Sequence, residues 1–110
     1  MPSIAPTVDF TVIAREVRCK WSPAADKASL VAAQAALAEA LPSLKAGGRS
    51  VKRVVCGGCL DFKIVTSCGA EAFGAFEEGG FAGEEALVEK LKAIEGVSEV
   101  ETQTYTFEDM

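Results

Sequence analysis

The sequence predicts an α+β domain in which two helices cover one face of a four-stranded antiparallel sheet. Two Ala- and Leu-rich amphipathic segments alternate with four segments rich in β-branched and aromatic residues, in the order strand, helix, strand, strand, helix, strand. A Gly-Gly pair joins the second and third strands in chain order, and 110 residues suffice for a single core. This is the ferredoxin-like βαββαβ plan. We expect one domain over residues 10–110, preceded by a flexible lead over residues 1–9.

The first strand is predicted over Phe10–Trp21. From Ile13 onward the apolar residues fall mainly on odd positions and charged residues alternate with them, a period of two that is typical of a strand with one buried face. The apolar residues before Ile13 fall out of phase with this set. We therefore expect a bulge near Ala14 and Arg15.

The first helix is predicted over residues 24–41. The Ser22-Pro23 pair is a helix-start signal, the segment that follows is rich in Ala and Leu, and Pro42 is expected to end the helix. The predicted apolar stripe consists of Leu30, Ala33, Leu37 and Leu41, backed by Val31 and Gln34.

Two strands are predicted over residues 50–55 and 60–68, joined by the segment Cys56-Gly57-Gly58-Cys59. Gly-Gly between two such runs indicates a β-hairpin, because both glycines tolerate the positive φ that tight turns require.

Residues 69–85 are predicted to be a Gly-rich loop that holds three of the six phenylalanines, Phe73, Phe76 and Phe81. Two alternatives are open for these side chains. They form an exposed apolar patch that binds a partner, or they pack under the second helix and cap the core.

The second helix is predicted to begin near Gly83 and to end at Gly96. Acidic residues occupy its first turn and lysines follow, as the helix dipole favours. Residues 97–107 form the last strand, and an acidic tail ends the chain.

The composition excludes several classes of function. The chain has no histidine, which removes Ser-His-Asp and Cys-His catalysis, His-ligated zinc and the usual general base near neutral pH. A net charge of −5, with Lys and Arg thinly spread, argues against a nucleic-acid partner. No apolar run approaches the roughly 18 residues of a membrane span, and no secretion signal is recognisable. We expect a cytoplasmic protein whose four cysteines are free thiols.

The cysteines do not form a four-ligand metal site in the predicted fold. Cys19 lies towards Cys59 because the first and third strands are neighbours, whereas Cys68 is on the order of 25–30 Å away along its strand. Cys19, Cys56 and Cys59 lack a fourth ligand from histidine. A strand follows the CxxC segment, so no helix N-terminus lowers a thiol pKa there. These arguments favour a simple hairpin turn over a catalytic dithiol.

Residues 77–101, EEGGFAGEEALVEKLKAIEGVSEVE, resemble part of a known family, the C-terminal guanine-nucleotide-exchange domain of translation elongation factor 1 beta in its short archaeal form. That family also has an acidic Gly-Gly loop before its second helix and an "IEGV-S-V" turn into its last strand. The segment RVVCGGCLDFKIV falls where the family has a Pro-Val-Ala-Phe-Gly turn, with Gly58 on the family glycine. The resemblance extends loosely over residues 10–105.

The resemblance implies a domain that binds elongation factor 1 alpha and releases GDP, in part by pushing a lysine near the extreme C-terminus towards the magnesium and phosphate site. This chain departs from that pattern, because it ends Glu108-Asp109-Met110 and no lysine follows Lys92. Leu60 and Asp61 replace basic residues of the family's hairpin. An acid cannot compete with Mg²⁺ as a cation does, so altered or lost exchange is expected.

Three functions remain open, and we predict the first. It is a non-enzymatic domain, without catalytic residue, metal or cofactor, that binds a protein partner through Cys56, Gly57, Gly58 and Cys59; by resemblance this partner is elongation factor 1 alpha. The second is an interaction or regulatory module that assembles with itself or a partner through edge strands or the phenylalanine loop. The third is a small thiol enzyme that uses Cys56 and Cys59.

Overall fold

The computed structural model describes residues 2–110. Within these residues the chain forms a mixed α/β domain with three α-helices, a four-stranded antiparallel sheet and a small two-stranded hairpin. The strands are β1 Ser3–Ala5, β2 Val8–Asp9, β3 Val12–Lys20, β4 Ser50–Val55, β5 Asp61–Gly69 and β6 Ser98–Phe107. The helices are α1 Ala24–Lys45, α2 Ala70–Glu78 and α3 Glu84–Ala93. The four-stranded antiparallel sheet was predicted and is confirmed.

The large sheet has the strand order β4-β5-β3-β6, and each neighbouring pair is antiparallel. The central strand β3 pairs with β5 in one unbroken register, from Val12 opposite Gly69 to Lys20 opposite Asp61. The bulge predicted near Ala14 and Arg15 is therefore wrong. The irregularity lies at the other end of β3, between Arg18 and Lys20, where the facing strand β6 carries Glu99 at a φ of 52°.

The hydrophobic core lies between one face of this sheet and the helices. On the sheet side, the core contains Val17 and Cys19 of β3, Trp21 directly after β3, and Phe62 and Ile64 of β5. Buried leucines of both long helices complete the same cluster: Leu37 and Leu44 of α1, and Leu87 and Leu91 of α3. Each fully buried side chain of this size stabilises the fold by about 1.5–3 kcal/mol.

Helix α1 continues past Pro42 to Lys45, so the predicted end at residue 41 is wrong. Leu44 is buried in the core, and its burial offsets the backbone hydrogen bond that the proline removes. The predicted backing residues Val31 and Gln34 are exposed, whereas Ala36 is buried beside Leu37. The alanines, not the valine, let the helix approach the sheet.

The start of α1 contains a left-handed turn. Ala25, Asp26 and Lys27 have φ values of 55°, 56° and 64°, so the right-handed helix begins after Lys27. The Ser29 hydroxyl accepts a hydrogen bond from the Ser22 N–H at 2.9 Å and donates to the Ser22 carbonyl at 3.2 Å. These two hydrogen bonds connect the first right-handed turn of α1 to Ser22, which lies two residues after β3.

The segment predicted as a Gly-rich loop contains helix α2, so that part of the prediction is wrong. Phe73 and Phe76 are buried, and their rings pack with Phe81 at centroid distances of 5.2–6.0 Å. Arg15 stacks over Phe81 at 4.1 Å and Arg49 over Phe76 at 4.2 Å. The exposed patch is therefore excluded, but the buried phenylalanines form a cluster of their own beside the main core and are not part of it.

The stretch predicted to be a flexible lead forms the β1–β2 hairpin, whose residues are exposed. The Phe10 N–H donates to the Pro2 carbonyl at 3.0 Å and closes it. The flexibility of this segment stays a prediction.

Candidate functional site

The segment between β4 and β5 is the candidate site, because it places all four residues predicted to bind a partner in one short loop. Cys56 and Cys59 are joined by a disulfide bond. The prediction that all cysteines are free thiols is therefore wrong for this pair, while Cys19 and Cys68 are free. The prediction of free thiols was based on an expected reducing compartment. It did not consider that a spacer of only two residues keeps two cysteines close enough to form a disulfide.

The base of the loop is fixed by hydrogen bonds that do not involve the sulfur atoms. The Cys56 N–H donates to the Asp61 carbonyl and the Trp21 N–H donates to the Leu60 carbonyl, both at 3.0 Å. The Lys20 ammonium donates to the Cys59 carbonyl at 2.9 Å. The loop is thus anchored to the end of β3 as well as to its own strands.

The residue with positive φ in this loop is Leu60, at 62°, and not Gly57 or Gly58 as predicted. Leu60 packs against the core while its backbone adopts the left-handed region. That conformation costs a non-glycine residue on the order of 1 kcal/mol, which burial of the leucine side chain offsets. The two glycines serve a different purpose, because they leave the tip of the loop without side chains.

Gly57, Gly58 and Cys59 are exposed, and Cys56 is half-buried. Apart from the residues adjacent in the chain, a Cβ atom added to either glycine would have no atom of residues 2–110 within 4 Å. The loop tip is therefore a bare stretch of backbone that projects from the end of the sheet and is accessible to a large molecule.

Charged groups flank the two sulfur atoms. The Lys20 ammonium lies 2.5 Å from the Asp61 carboxylate, and this hydrogen bond holds the pKa of Asp61 below its usual value. An Asp61 carboxylate oxygen lies 3.3 Å from Cys59 Sγ. The Cys59 N–H donates to Cys56 Sγ at 3.1 Å. The two sulfurs thus have opposite environments, since one faces an N–H donor and the other a carboxylate.

A polar groove lies at the foot of the loop, with a volume of about 220 Å³. It is lined by Arg18, Cys19, Lys20, Asp61, Glu99 and Glu101. Cys19 is a poor nucleophile there, because burial raises the pKa of its thiol to about 11. The groove was not predicted, although pairing of β3 with β5 already sets Lys20 opposite Asp61.

Sequence analysis also missed a buried carboxylate on the sheet face that the helices leave open. Glu16 is 4% exposed, accepts a hydrogen bond from the Tyr105 hydroxyl at 3.1 Å and lies 3.4 Å from Arg18. Alternation correctly assigned Glu16 to the face opposite the core. It could not show that Tyr105, two strand positions from Glu16 in the pairing of β3 with β6, would cover it.

The register places one of the two free cysteines near the loop and the other far from it. Cys19 lies opposite Phe62, near the loop, whereas Cys68 lies opposite Ile13 at the other end of β3. Among residues 2–110, no three His, Cys, Asp or Glu side chains are grouped so that they could hold a metal ion. No helix in that range combines the length and apolarity needed to cross a membrane.

Comparison with protein-family models, curated proteins and solved structures found no match to this chain.

Proposed function

We propose that this chain is a non-enzymatic protein-binding domain of the ferredoxin-like type, that its contact surface is the loop Cys56–Cys59, and that its partner is elongation factor 1 alpha. The observation that carries the proposal is the loop itself. Its tip is exposed and free of side chains, while its base is held by backbone hydrogen bonds and its ends by a disulfide.

A loop that is already ordered suits recognition because it loses little conformational entropy on binding. The bare backbone at Gly57 and Gly58 allows a partner to approach closely and to bond to peptide groups. The adjoining groove adds fixed charges of both signs, with Arg18 and Lys20 beside Asp61. Such charges favour one orientation of the partner over others.

The strand order β4-β5-β3-β6, with α1 and α3 contributing to one core cluster, supports the ferredoxin-like assignment. The resemblance of residues 77–101 to the elongation factor 1 beta exchange domain supports the choice of partner. In the structure this stretch runs from the last residues of α2 through α3 into the first residues of β6. The proposed partner also favours the cytoplasm as the compartment.

Nucleotide exchange is not part of the proposal, because the residues that follow β6 are acidic and one of them is tethered to Thr11. The Glu108 carboxylate accepts hydrogen bonds from the Thr11 N–H at 2.6 Å and from the Thr11 hydroxyl at 2.8 Å. These bonds lower the pKa of Glu108, so it stays ionised. The last lysine of the chain, Lys92, lies in α3 and not near this end.

The test measures binding of the chain to elongation factor 1 alpha and release of a fluorescent GDP from it. Gly58→Arg places a bulky cation on the loop tip without filling occupied space. Gly74→Arg is the matched control, because Gly74 is also exposed and open but lies in α2, beyond the other end of the sheet.

We expect the unmodified chain and Gly74→Arg to bind equally, Gly58→Arg to bind at least about tenfold more weakly, and none of them to accelerate GDP release. A chain that does not bind elongation factor 1 alpha refutes the partner. Equal binding by Gly58→Arg refutes the loop as the surface, and accelerated release refutes the loss of exchange.

A second candidate is a module that assembles with itself through an edge strand. The observation in its favour is that β4 is an edge of the sheet and that its Val54 and Val55 are 45% and 41% exposed. Sedimentation tests it with Val54→Lys as the variant. A dimer that this substitution dissociates supports the candidate, and a monomer at every concentration rejects it.

A further inference from the structure

We propose that the Cys56–Cys59 disulfide is a thiol–disulfide exchange site that a dithiol reductant opens, and that the reductant attacks Cys59 and releases Cys56 as the thiolate. This inference concerns the chemistry of the loop and holds whatever partner the loop binds. It rests on the unequal surroundings of the two sulfur atoms.

Access favours attack at Cys59. Cys59 is exposed, and its neighbour Gly58 has open space where a side chain would stand. Cys56 is half-buried and lies at the hydrogen-bonded base of the loop, where its N–H donates to Asp61. Exchange depends on which sulfur an incoming thiolate can reach, and here that sulfur belongs to Cys59.

The choice of leaving group gives the same assignment. The N–H of Cys59 donates to Cys56 Sγ at 3.1 Å and stabilises negative charge on it. A thiolate on Cys59 would lie 3.3 Å from the Asp61 carboxylate, whose ionisation the Lys20 ammonium maintains from 2.5 Å. The thiol with the lower pKa leaves faster, so Cys56 is the better leaving group.

The steps balance with the reductant as the only co-reactant. One thiolate of the dithiol attacks Cys59 Sγ, a new S–S bond forms, and the Cys56–Cys59 bond breaks with its electron pair on Cys56. The second thiolate of the dithiol then attacks the reductant's sulfur atom in this mixed disulfide, which closes the reductant into a cyclic disulfide and releases Cys59 as a thiolate. Two electrons pass from the reductant to the protein. Its two protons, exchanged through water, end on Cys56 and Cys59, and the Cys59 thiol can then donate to Asp61.

The change is confined to the loop. Cys19 is buried in the core, and Cys68 lies at the opposite end of the sheet, so neither can exchange with the loop in the folded chain. The bonds from Trp21 to Leu60 and from Cys56 to Asp61 do not involve sulfur. Reduction therefore releases the tip of the loop and leaves its base paired.

The test treats the oxidised full chain with reduced glutathione for a series of short times, after which excess N-ethylmaleimide stops the exchange and blocks each released thiol, followed by trypsin digestion and tandem mass spectrometry. Cys56 and Cys59 share the tryptic peptide 54–63, whereas Cys19 and Cys68 fall in other peptides. We expect at least about tenfold more glutathione on Cys59 than on Cys56. An equal or reversed distribution refutes the assignment, and a disulfide that native dithiothreitol treatment leaves intact refutes the site.

Two sets of variants separate chemistry from accessibility. Asp61→Asn keeps a hydrogen-bond acceptor for Lys20 and removes the charge beside Cys59, so the preference for Cys59 should fall at least about threefold. Glu71→Gln is the control: Glu71 is an exposed acid in the first turn of α2, beyond the far end of β5, and its substitution should leave the ratio unchanged. An unchanged ratio in Asp61→Asn contradicts the electrostatic part of the proposal.

Single-cysteine variants give an independent readout by thiol alkylation across pH. In Cys59→Ser, Cys56 should titrate below the ordinary thiol pKa of about 8.5, because the N–H donor at residue 59 remains. In Cys56→Ser, Cys59 should titrate above it. The opposite order of the two values overturns the proposal.

Discussion

At the scale of single residues, Arg15 makes more connections than any other cation described above. Its guanidinium donates to both carboxylate oxygens of Glu84, at 2.7 and 3.2 Å, and to the Thr104 hydroxyl at 2.9 Å, and it stacks on Phe81. Both members of the ion pair are largely shielded from water. Arg15 therefore links β3 to β6, α3 and the phenylalanine cluster.

We predict that Arg15→Ala lowers the free energy of unfolding by about 2–3 kcal/mol, because it leaves the Glu84 carboxylate partly buried without its partner. Urea denaturation measures the loss. Arg53→Ala is the control, since Arg53 is exposed and donates to Gln34 on the helix surface, and it should change stability by less than about 0.5 kcal/mol. Equal effects of the two substitutions would contradict the role of Arg15.

A second residue-scale prediction uses the single tyrosine of the chain. Burial, and then the hydrogen bond to the Glu16 carboxylate, raise the pKa of Tyr105 to about 12. A raised pKa means that the folded state holds the phenol proton more tightly than the unfolded state. The stability from this group is therefore complete below the unfolded pKa of about 10 and is lost as the pH rises towards 12.

Ultraviolet titration of tyrosinate checks this prediction in the folded chain and in denaturant. We expect Tyr105 to ionise near its ordinary pKa only when the chain is unfolded, and Glu16→Gln to lower the folded midpoint partway. A folded midpoint equal to the unfolded one would mean that Tyr105 does not contact Glu16.

Residue-scale features were the hardest to predict. Alternation assigned Val17, Cys19 and Trp21 to the core face correctly, because burial on a strand follows a period of two. The burial of Glu16 depends on a tyrosine 89 positions away in sequence, which local pattern cannot show. The positive φ of Leu60 depends in the same way on contacts of the folded chain.

At the scale of elements, α2 shows how burial overrides local propensity. Its glycines predicted a loop, yet Phe73 and Phe76, three residues apart, lie on the same helix face and are both buried. Phenylalanines at this spacing were the signal for a helix. The gain from burying two aromatic rings exceeds the roughly 1 kcal/mol that Gly74 costs inside a helix.

We predict that Phe76→Ala lowers the free energy of unfolding by about 3–5 kcal/mol, because it opens a cavity between Phe73, Phe81 and Arg49. Phe107→Ala serves as the control, since Phe107 is 45% exposed and its removal leaves no enclosed space. Urea denaturation of both variants measures the two losses of unfolding free energy. A loss below about 1 kcal/mol for Phe76→Ala would mean that its ring is not enclosed by Phe73, Phe81 and Arg49.

Helix α1 provides the second element-scale prediction. Pro42→Ala restores an N–H inside the helix, where the carbonyl of residue 38 can accept it, and we expect a gain of about 2 kcal/mol after the added freedom of the unfolded chain is subtracted. Pro23→Ala is the matched control, because Pro23 precedes the helix at a φ of −72° that suits proline. It should lower stability slightly, by about 0.4–1 kcal/mol. If Pro42→Ala is also destabilising, the helix does not continue past residue 41.

At the scale of the whole molecule, the sheet with its flanking helices is predictable from sequence, because it depends on the sum of many apolar positions and tolerates local errors. Sequence does not predict three other features, because each depends on contacts between distant segments. These are the ends of α1, the presence of α2 and the position of the bulge. The candidate loop was located by its glycines and cysteines. Its disulfide and the charges around it required the folded chain.

Reduction of the disulfide is the whole-molecule prediction. Closing a four-residue loop restricts the unfolded chain little, so we expect reduction to lower the free energy of unfolding by about 2 kcal/mol and to leave the circular dichroism of the fold unchanged. Denaturation with and without dithiothreitol measures it, with Cys56→Ser/Cys59→Ser as the variant that dithiothreitol should not affect. An unfolded reduced chain would show that the disulfide, and not the core, holds the domain together.

The most direct test of the central claim, that the loop Cys56–Cys59 is the surface that binds a protein, is an NMR titration of the isotope-labelled chain with elongation factor 1 alpha. We predict that the amide signals of residues 56–61 and of the adjoining groove change first, while those of α2, beyond the other end of the sheet, do not. Changes centred on α2 or on the outer face of α1, with the loop signals unmoved, would contradict the account.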